Sequence, residues 1–526
     1  MGRKEERSGT TGKIALLAQN WMDFADFIKS NAVMAGCIAA LLALTYGGQA
    51  FSNYYYIDKE HLINYPGGFY NWDEIGRFGL IFIKKFLNLS WYNPYLGGAL
   101  LLIALWLTAM AAGYLFHMID RRIGSIQLGI FMLLFLVYPV YAEQFLFQFQ
   151  AFEVVLAIFF LMISDWYIIQ AVREKNRAAF LVSIPCTVIS FGVYQSMVPL
   201  QLCLYIGMFL VLAYVQEGGQ EHVLASYVRN ALIHFLVTFG TYEIIAKLFF
   251  SGSGYLTDQI AWKRGTIRLI GGYYLTFLRP DGMYATVAYD ICSAILLIAL
   301  VLLFWRLRRR SAGYVLGGIG VMISPLFLAL VMGVPTAVRA QMMLPMADGL
   351  MWLFGMHVIC TELKGCWRRY SCALLVFIGG IVILSNASPL MRLFYTRDVI
   401  GKADDMAAVM IVDKVGKIPS AQEGKPLIFI GHKDALVNPA CFQSDQYMTY
   451  VSMSAYELNY MTEPQFFFSS CRIIGYLRTL GFDQFAEPTM EMMASAYGDC
   501  EDMPVWPLEG SVREFEEYII VKLGER

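Results

Sequence analysis

Long uncharged apolar runs alternate with short polar segments across most of the chain. They fall at approximately 32–51, 94–118, 126–142, 151–172, 178–194, 196–215, 231–250, 286–305, 314–333, 341–360 and 371–388. Each is close to the roughly 20 residues a helix needs to cross a bilayer core. Backbone polar groups find no water at that depth, so helices are expected. Two further apolar stretches are amphipathic. Lys13–Ser30 places Trp21, Phe24 and Phe27 on one side, and Phe78–Leu89 is too short to span and carries Lys84 and Lys85. Both are expected to lie in the membrane interface.

After Ser388 the pattern becomes that of a soluble domain. Pro389–Ile418 predicts a helix and Pro426–Gly431 a strand. Ser470–Leu480 and Pro488–Ala496 predict helices, the second with Pro488 at its first position, and Tyr518–Leu523 predicts a closing strand. The expected fold is an α-helical polytopic membrane protein of about eleven transmembrane helices with a small C-terminal α/β domain outside the membrane. The expected divisions are a cytoplasmic N-terminus at 1–30, a transmembrane domain at 31–388 with an outer loop at 52–93, and an extracytoplasmic domain at 389–526.

Composition agrees. Of the 526 residues 58% are hydrophobic and 15% charged, against roughly a quarter charged in soluble chains. A net charge of -1 gives no argument for nucleic acid. Seven of the ten cysteines lie in or beside apolar runs, where packing is their simplest role. Cys441, Cys471 and Cys500 lie in the polar C-terminal part, where one disulfide and one free thiol would fit. No cleavable signal peptide is read at the N-terminus.

Basic residues set the orientation. Arg121–Arg122, Arg173/Lys175/Arg177, Arg229, Arg306/Arg308/Arg309/Arg310 and Lys364/Arg368/Arg369 occupy alternate loops, which are therefore expected in the cytoplasm. The opposite side receives the first loop, Tyr141–Gln150, the Tyr194–Gln195 turn, Ser251–Ala285, Gly333–Ala340 and the C-terminal tail. Lys263, Arg264, Arg268 and Arg279 are exceptions on that side, placed among lipid headgroups or facing an anionic substrate.

The first loop, Asn53–Arg77, gathers the candidate chemistry. Asp58 and Glu60 lie a few residues past the first span. A carboxylate there can take the proton of a sugar hydroxyl attacking an anomeric carbon. A second acid nearby can hold hydroxyls or raise the first one's pKa. A bare D-x-E by itself is more simply the pattern of a solvated loop. Trp72, Asp73, Glu74 and Arg77 form a second group. The ring could stack on a sugar and the guanidinium pair with a phosphate, or the acids could simply open the next helix. Glu143, Gln144, Glu153, Tyr194, Gln195, Arg339 and Asp348 fall near the expected outer ends of spans. Charges at membrane depth commonly face a cavity or partner, so they suggest one outward-open cleft, with snorkelling as the plain alternative. Glu243 and Lys247, four apart, neutralise each other, and Asp165 reads as structural.

The six histidines show no metal-ligand spacing, and no metal site is assigned. A D-x-E alone could ligate Mg²⁺ or Mn²⁺, so a divalent cation is the one cofactor left open. No nucleotide-binding or serine-hydrolase fingerprint occurs. A nucleotide-sugar does not reach the outer side, so a donor there would be lipid-linked.

The acids of the first loop followed by W-x-x-x-G-R at Trp72–Arg77, then YPVYAEQFLFQFQ, SFGVYQS, NPACF and MPVWPLEGSV, resemble the bacterial glucosyltransferase II family. The resemblance runs from about Asn53 to the C-terminus. It implies a GT-C type membrane glycosyltransferase, using a polyprenyl-phosphate sugar to modify O-antigen or related surface glycans. It makes Asp58 the base and Glu60 its partner, with Asp73 as the fallback. By position rather than by any motif of known role, Arg77 or Arg339 would steady the departing phosphate, Tyr194–Gln195 would line the cleft, and Trp72, Glu74, Glu143, Gln144, Arg279 and Asp348 complete the substrate-binding set. The rival is a transporter or flippase of lipid-linked glycan, which favours interrupted helices and midplane sites. A membrane O-acyltransferase would need an embedded histidine with a supporting constellation.

Overall fold

The computed structural model describes residues 19–68, 72–215, 221–249, 260–278, 286–442, 451, 453–457 and 466–525. Among the described residues each expected apolar run falls on helix, the 126–142 run in two pieces. Nine helices among the described residues are long and apolar enough to cross a membrane, or up to ten if a bent pair counts as one span. The bent pair is Ser125–Leu136 with Val140–Leu146, turned by 58°. Pro139 stands at the break and cannot donate to the preceding turn. Arg177–Val193, the remaining run, has 17 residues and is shorter than a full span.

The chain divides into two compact units. The first holds residues 1–51, 71–89 and 95–391, and the second 52–70, 90–94 and 392–526. At the centre of the first unit is the helix Met343–Glu362, whose apolar window is wholly buried. Small residues admit its neighbours: a Cβ on Gly355 would stand 2.7 Å from Ile295 Cγ2. The helix at residues 19–30 buries Phe24 and Phe27, with Phe24 and Trp21 at 4.9 and 5.6 Å from the Trp166 ring. That segment therefore packs on protein as well as on any interface. So does Phe78–Phe86, where a Cβ on Gly79 would meet Ile189 O at 2.2 Å while Phe82 and Phe86 stay exposed.

In the second unit, β1 (Leu427–Ile430) runs parallel to β3 (Ile519–Lys522), and β2 (Val512–Glu514) pairs antiparallel to β3, giving the order β1-β3-β2. β1 and β3 are buried along their whole length, which is why β1 is wholly apolar and β3 is apolar up to Lys522. Helix Phe466–Thr479 buries Ile473, Ile474, Tyr476 and Leu477 against them.

Three expectations need correction. The helix expected to begin at Pro389 is continuous with the last apolar run, as Gly365–Gly416. Pro488 precedes the N-cap, since Thr489 caps Met490–Asp499 by accepting from the Met492 N–H. Among the cysteines, Cys441, Cys471 and Cys500 are free, and the bonded pair is Cys360–Cys372, two residues expected to be packing thiols.

Candidate active site

Asp58 stands at φ 70°, in the left-handed region, immediately before the helix Lys59–Asn64. Aspartate tolerates that conformation better than most residues, and such positions concentrate at functional sites. Its carboxylate is ion-paired with Arg472 from helix Phe466–Thr479. Arg472 Nε also lies 3.6 Å from Glu60 Oε1, so one guanidinium serves both acids. Glu60 is buried and accepts a 2.9 Å hydrogen bond from the Tyr55 hydroxyl. Burial raises its pKa to about 7, against the opposing pull of Arg472 and with help from Asp58. The carboxyl group thus changes charge near neutrality.

Lys59 is buried too. Its Nζ donates to Asn53 Oδ1 at 2.9 Å and Tyr54 O at 2.6 Å and lies 4.9 Å from the Tyr92 ring centre. Burial, then Arg397, lowers its pKa to about 7. The short helix is fastened by Asn64 Nδ2 donating to Gly475 O at 2.9 Å and by Tyr55 against Tyr476 at 4.6 Å. The first-loop acids are therefore fixed in a packed setting, unlike ordinary loop charges. A cationic guanidinium between the two carboxylates is the wrong neighbour for a divalent ion. No group of three or more His, Cys, Asp or Glu among the described residues could hold a metal. The donor set does not fit one.

The other candidates lie in the first unit. Arg77 donates to Gln150 Oε1 at 3.0 Å and sits 4.9 Å from the Tyr194 ring centre. Gln195 Nε2 donates to Ile75 O at 2.8 Å. Tyr194 and Gln195 thus hold the Trp72–Arg77 turn in place. Trp72 is buried, stacked on Phe149 at 5.6 Å with Lys84 Nζ 5.5 Å from its ring, so its faces are occupied by protein. Asp73 and Glu74 are exposed, and Asp73 Oδ1 accepts the Glu74 N–H at 3.0 Å. Lys84, read as an interfacial lysine, makes a buried 2.7 Å ion pair with Glu153. Arg339 pairs with buried Glu143 at 2.7 Å. Gln144 and Asp348 are fully buried, and neither amide atom of Gln144 has a hydrogen bond among the described residues. Arg279 lies outside the described residues.

The family model described as Glucosyl transferase GtrII matches residues 48–359, more than half of the chain. The chain belongs to the GtrII glucosyltransferase family. The match begins ten residues before Asp58 and ends past Asp348. No curated protein and no solved structure matches. In this GtrII-family chain, Arg472 lies beyond the matched stretch, and sequence reading missed it. Its one signal is a cation inside the apolar run FFFSSCRIIGYL. Gln150 and Gln341 were also missed, since a glutamine at a helix end carries no pattern of its own. Asp165, expected to be structural, accepts from Gln201 at 2.7 Å, and Glu243 and Lys247 pair at 3.2 Å.

Proposed function

We propose that this glucosyltransferase-family protein transfers a glucose-like hexose from a polyprenyl-phosphate donor to a cell-surface glycan. The reaction takes place on the outer face of the cytoplasmic membrane. The N-terminus is cytoplasmic and the 389–526 domain extracytoplasmic, following the basic loops. The observation that carries the reading is the family match over 48–359, which contains the first-loop acids. Activated nucleotides do not reach that side, so the donor is lipid-linked.

Asp58 acts as general base. It removes the proton of an acceptor hydroxyl as that oxygen bonds to the anomeric carbon, the carbon–phosphate oxygen bond breaks, and polyprenyl phosphate departs with the electron pair. Attack from the face opposite the phosphate inverts the anomeric centre. Its side chain is 22% exposed, so it can meet a substrate while Arg472 fixes its direction. Glu60, almost wholly buried and neutral for part of the time at pH 7, tunes that arginine rather than touching substrate. Asp73, exposed and bonded only locally among its hydrogen bonds, is the fallback base. The bent helix pair keeps the flippase reading as second, because broken spans are common in transporters.

The test is transfer by the purified full-length protein in nanodiscs, supplied with polyprenyl-phosphoglucose and candidate glycans. Product that carries the labelled hexose supports the reading. Donor movement across the bilayer without glycosidic product overturns it.

A further inference from the structure

Four helices of the first unit, Ala151–Arg173, Arg177–Val193, Met197–Val215 and Glu221–Phe249, share a buried polar network that the proposed transfer does not use. Asp165 and Gln201 are fully buried, and Gln201 Nε2 donates to Asp165 Oδ1 at 2.7 Å. The Gln201 side chain also bonds Tyr205, whose hydroxyl stands 2.6 Å from His234 Nδ1. His234 Nε2 faces Ser164 Oγ at 3.5 Å. Ser164 directly precedes Asp165, so the contacts return to the helix where they began.

The hydrogens of this ring can be placed one by one. Ser164 gives its proton to Ser183 O at 3.0 Å, and its oxygen accepts from Thr187 at 2.8 Å. The other lone pair of Ser164 faces the N–H of His234 Nε2. A neutral His234 then accepts at Nδ1 from the Tyr205 O–H, which leaves the Tyr205 oxygen to accept from the second N–H of Gln201. Two acceptors remain, Asp165 Oδ2 and Gln201 Oε1, and neither has a hydrogen bond. They are the far ends of an acid and an amide whose near ends are already joined. Buried atoms of this kind are uncommon and call for an explanation. Tyr205 and Tyr227 are the titratable groups that act on Asp165, with His234 beyond Tyr205. Helix Arg177–Val193 brings the hydroxyls of Ser183 and Thr187. No ion pair reaches Asp165 among the described residues. A carboxylate sealed from water without a cation takes up a proton rather than stay charged, and charge at membrane depth is costly.

We infer that Asp165 is a proton-binding site, a neutral acid whose Oδ2–H donates to Gln201 Oε1 and completes a two-bond pair between helices Ala151–Arg173 and Met197–Val215. One proton converts one stranded acceptor into the donor that the other needs. A hard cation calls for about six oxygen ligands and meets only these two stranded ones. In water an aspartate gives up its proton well below neutrality, so unfolding releases the bound proton. The site stands whether or not hexose is transferred.

The experiment uses the full-length protein in dodecyl maltoside, a detergent without a carbonyl group. Infrared spectra of wild type, Asp165→Asn and Gln201→Leu are compared from pH 5 to pH 8, with aspartate carrying a heavy isotope at the carboxyl carbon. Wild type should show a protonated-carboxyl absorption that moves with the label and is lost in Asp165→Asn. Gln201→Leu should shift it to higher frequency, because a carbonyl freed from its donor stiffens. In chemical unfolding, the unfolding constant of wild type relative to Asp165→Asn should rise about tenfold per pH unit over the same range. Glu60 and Lys59 titrate alike in both proteins and cancel. Identical infrared spectra for wild type and Asp165→Asn, or equal pH dependence of their unfolding, overturns the inference. So does loss of the absorption when Na⁺ replaces choline, which would assign a cation instead. Failure of Asp165→Asn to fold also overturns it, because the asparagine amide reproduces both bonds of the protonated acid.

Discussion

Replacing Glu60 by glutamine isolates the electrostatic cost of the first-loop helix. The glutamine keeps the volume and can still accept from Tyr55, but it carries no charge. In the native protein the carboxyl group titrates near 7, against an ordinary value of 4.5. The difference corresponds to about 3 kcal/mol. The sign follows from proton counting. Below the unfolded value both states are protonated and nothing is lost. Between the two values the native state holds the proton more tightly, so its stability falls as pH rises, and above about 7 the full penalty applies. Lys59 acts in the opposite window. Its folded value of about 7 lies below the ordinary 10.5, so stability rises again between the two. Local stability of the segment therefore passes through a minimum near neutrality. Pulse proteolysis or hydrogen exchange of peptides covering 52–64, measured from pH 4.5 to pH 9, reads this directly. Glu60→Gln should stabilise the segment by up to about 3 kcal/mol at pH 8 and hardly at all at pH 4.5. A variant less stable than wild type at pH 8 and unchanged at pH 4.5 would refute the reasoning, because the charge would then be a net asset through Arg472.

Other expectations follow from the same packing. Arg472→Gln leaves two carboxylates without their shared cation. It should destabilise the second unit by about 3 kcal/mol in proteolysis and move the midpoint of Glu60 above its present position. Lys84→Met strands Glu153 and should cost about 3–5 kcal/mol in thermal stability, whereas Lys84→Met with Glu153→Leu should recover most of it. Gly98→Ala would place a Cβ 1.7 Å from Ala50 O, an overpacking expected to cost at least about 1–3 kcal/mol, seen as a lower midpoint in fluorescence-detected size exclusion.

The helices of the first unit were legible because span length and the absence of charge are one-dimensional properties. What escaped was whatever depends on partners distant in sequence. Lys84 reads as an interfacial charge until Glu153, 69 residues away, stands 2.7 Å from it. Arg472 is separated from Asp58 by 414 residues. Pro389 signalled a helix start by the usual steric rule, yet the helix runs through it from Gly365 to Gly416. The strand Val512–Glu514 is three residues long and partly exposed, too short for alternation to register. The packed helix start at Lys59 and the burial of Glu60 could not be read in advance, since nothing in D-K-E distinguishes a solvated loop from a packed helix start. Trp72 shows the reverse case: its expected sugar-stacking faces are filled by Phe149 and Lys84.

The central claim is that Asp58 takes the proton of an attacking hydroxyl in a lipid-linked hexose transfer. Single-turnover transfer from polyprenyl-phosphoglucose by Asp58→Asn in nanodiscs tests it most directly. Loss of the general base predicts a rate about 10²- to 10⁴-fold lower with donor binding retained, and Glu60→Gln still active. Transfer at the wild-type rate by Asp58→Asn would contradict the account.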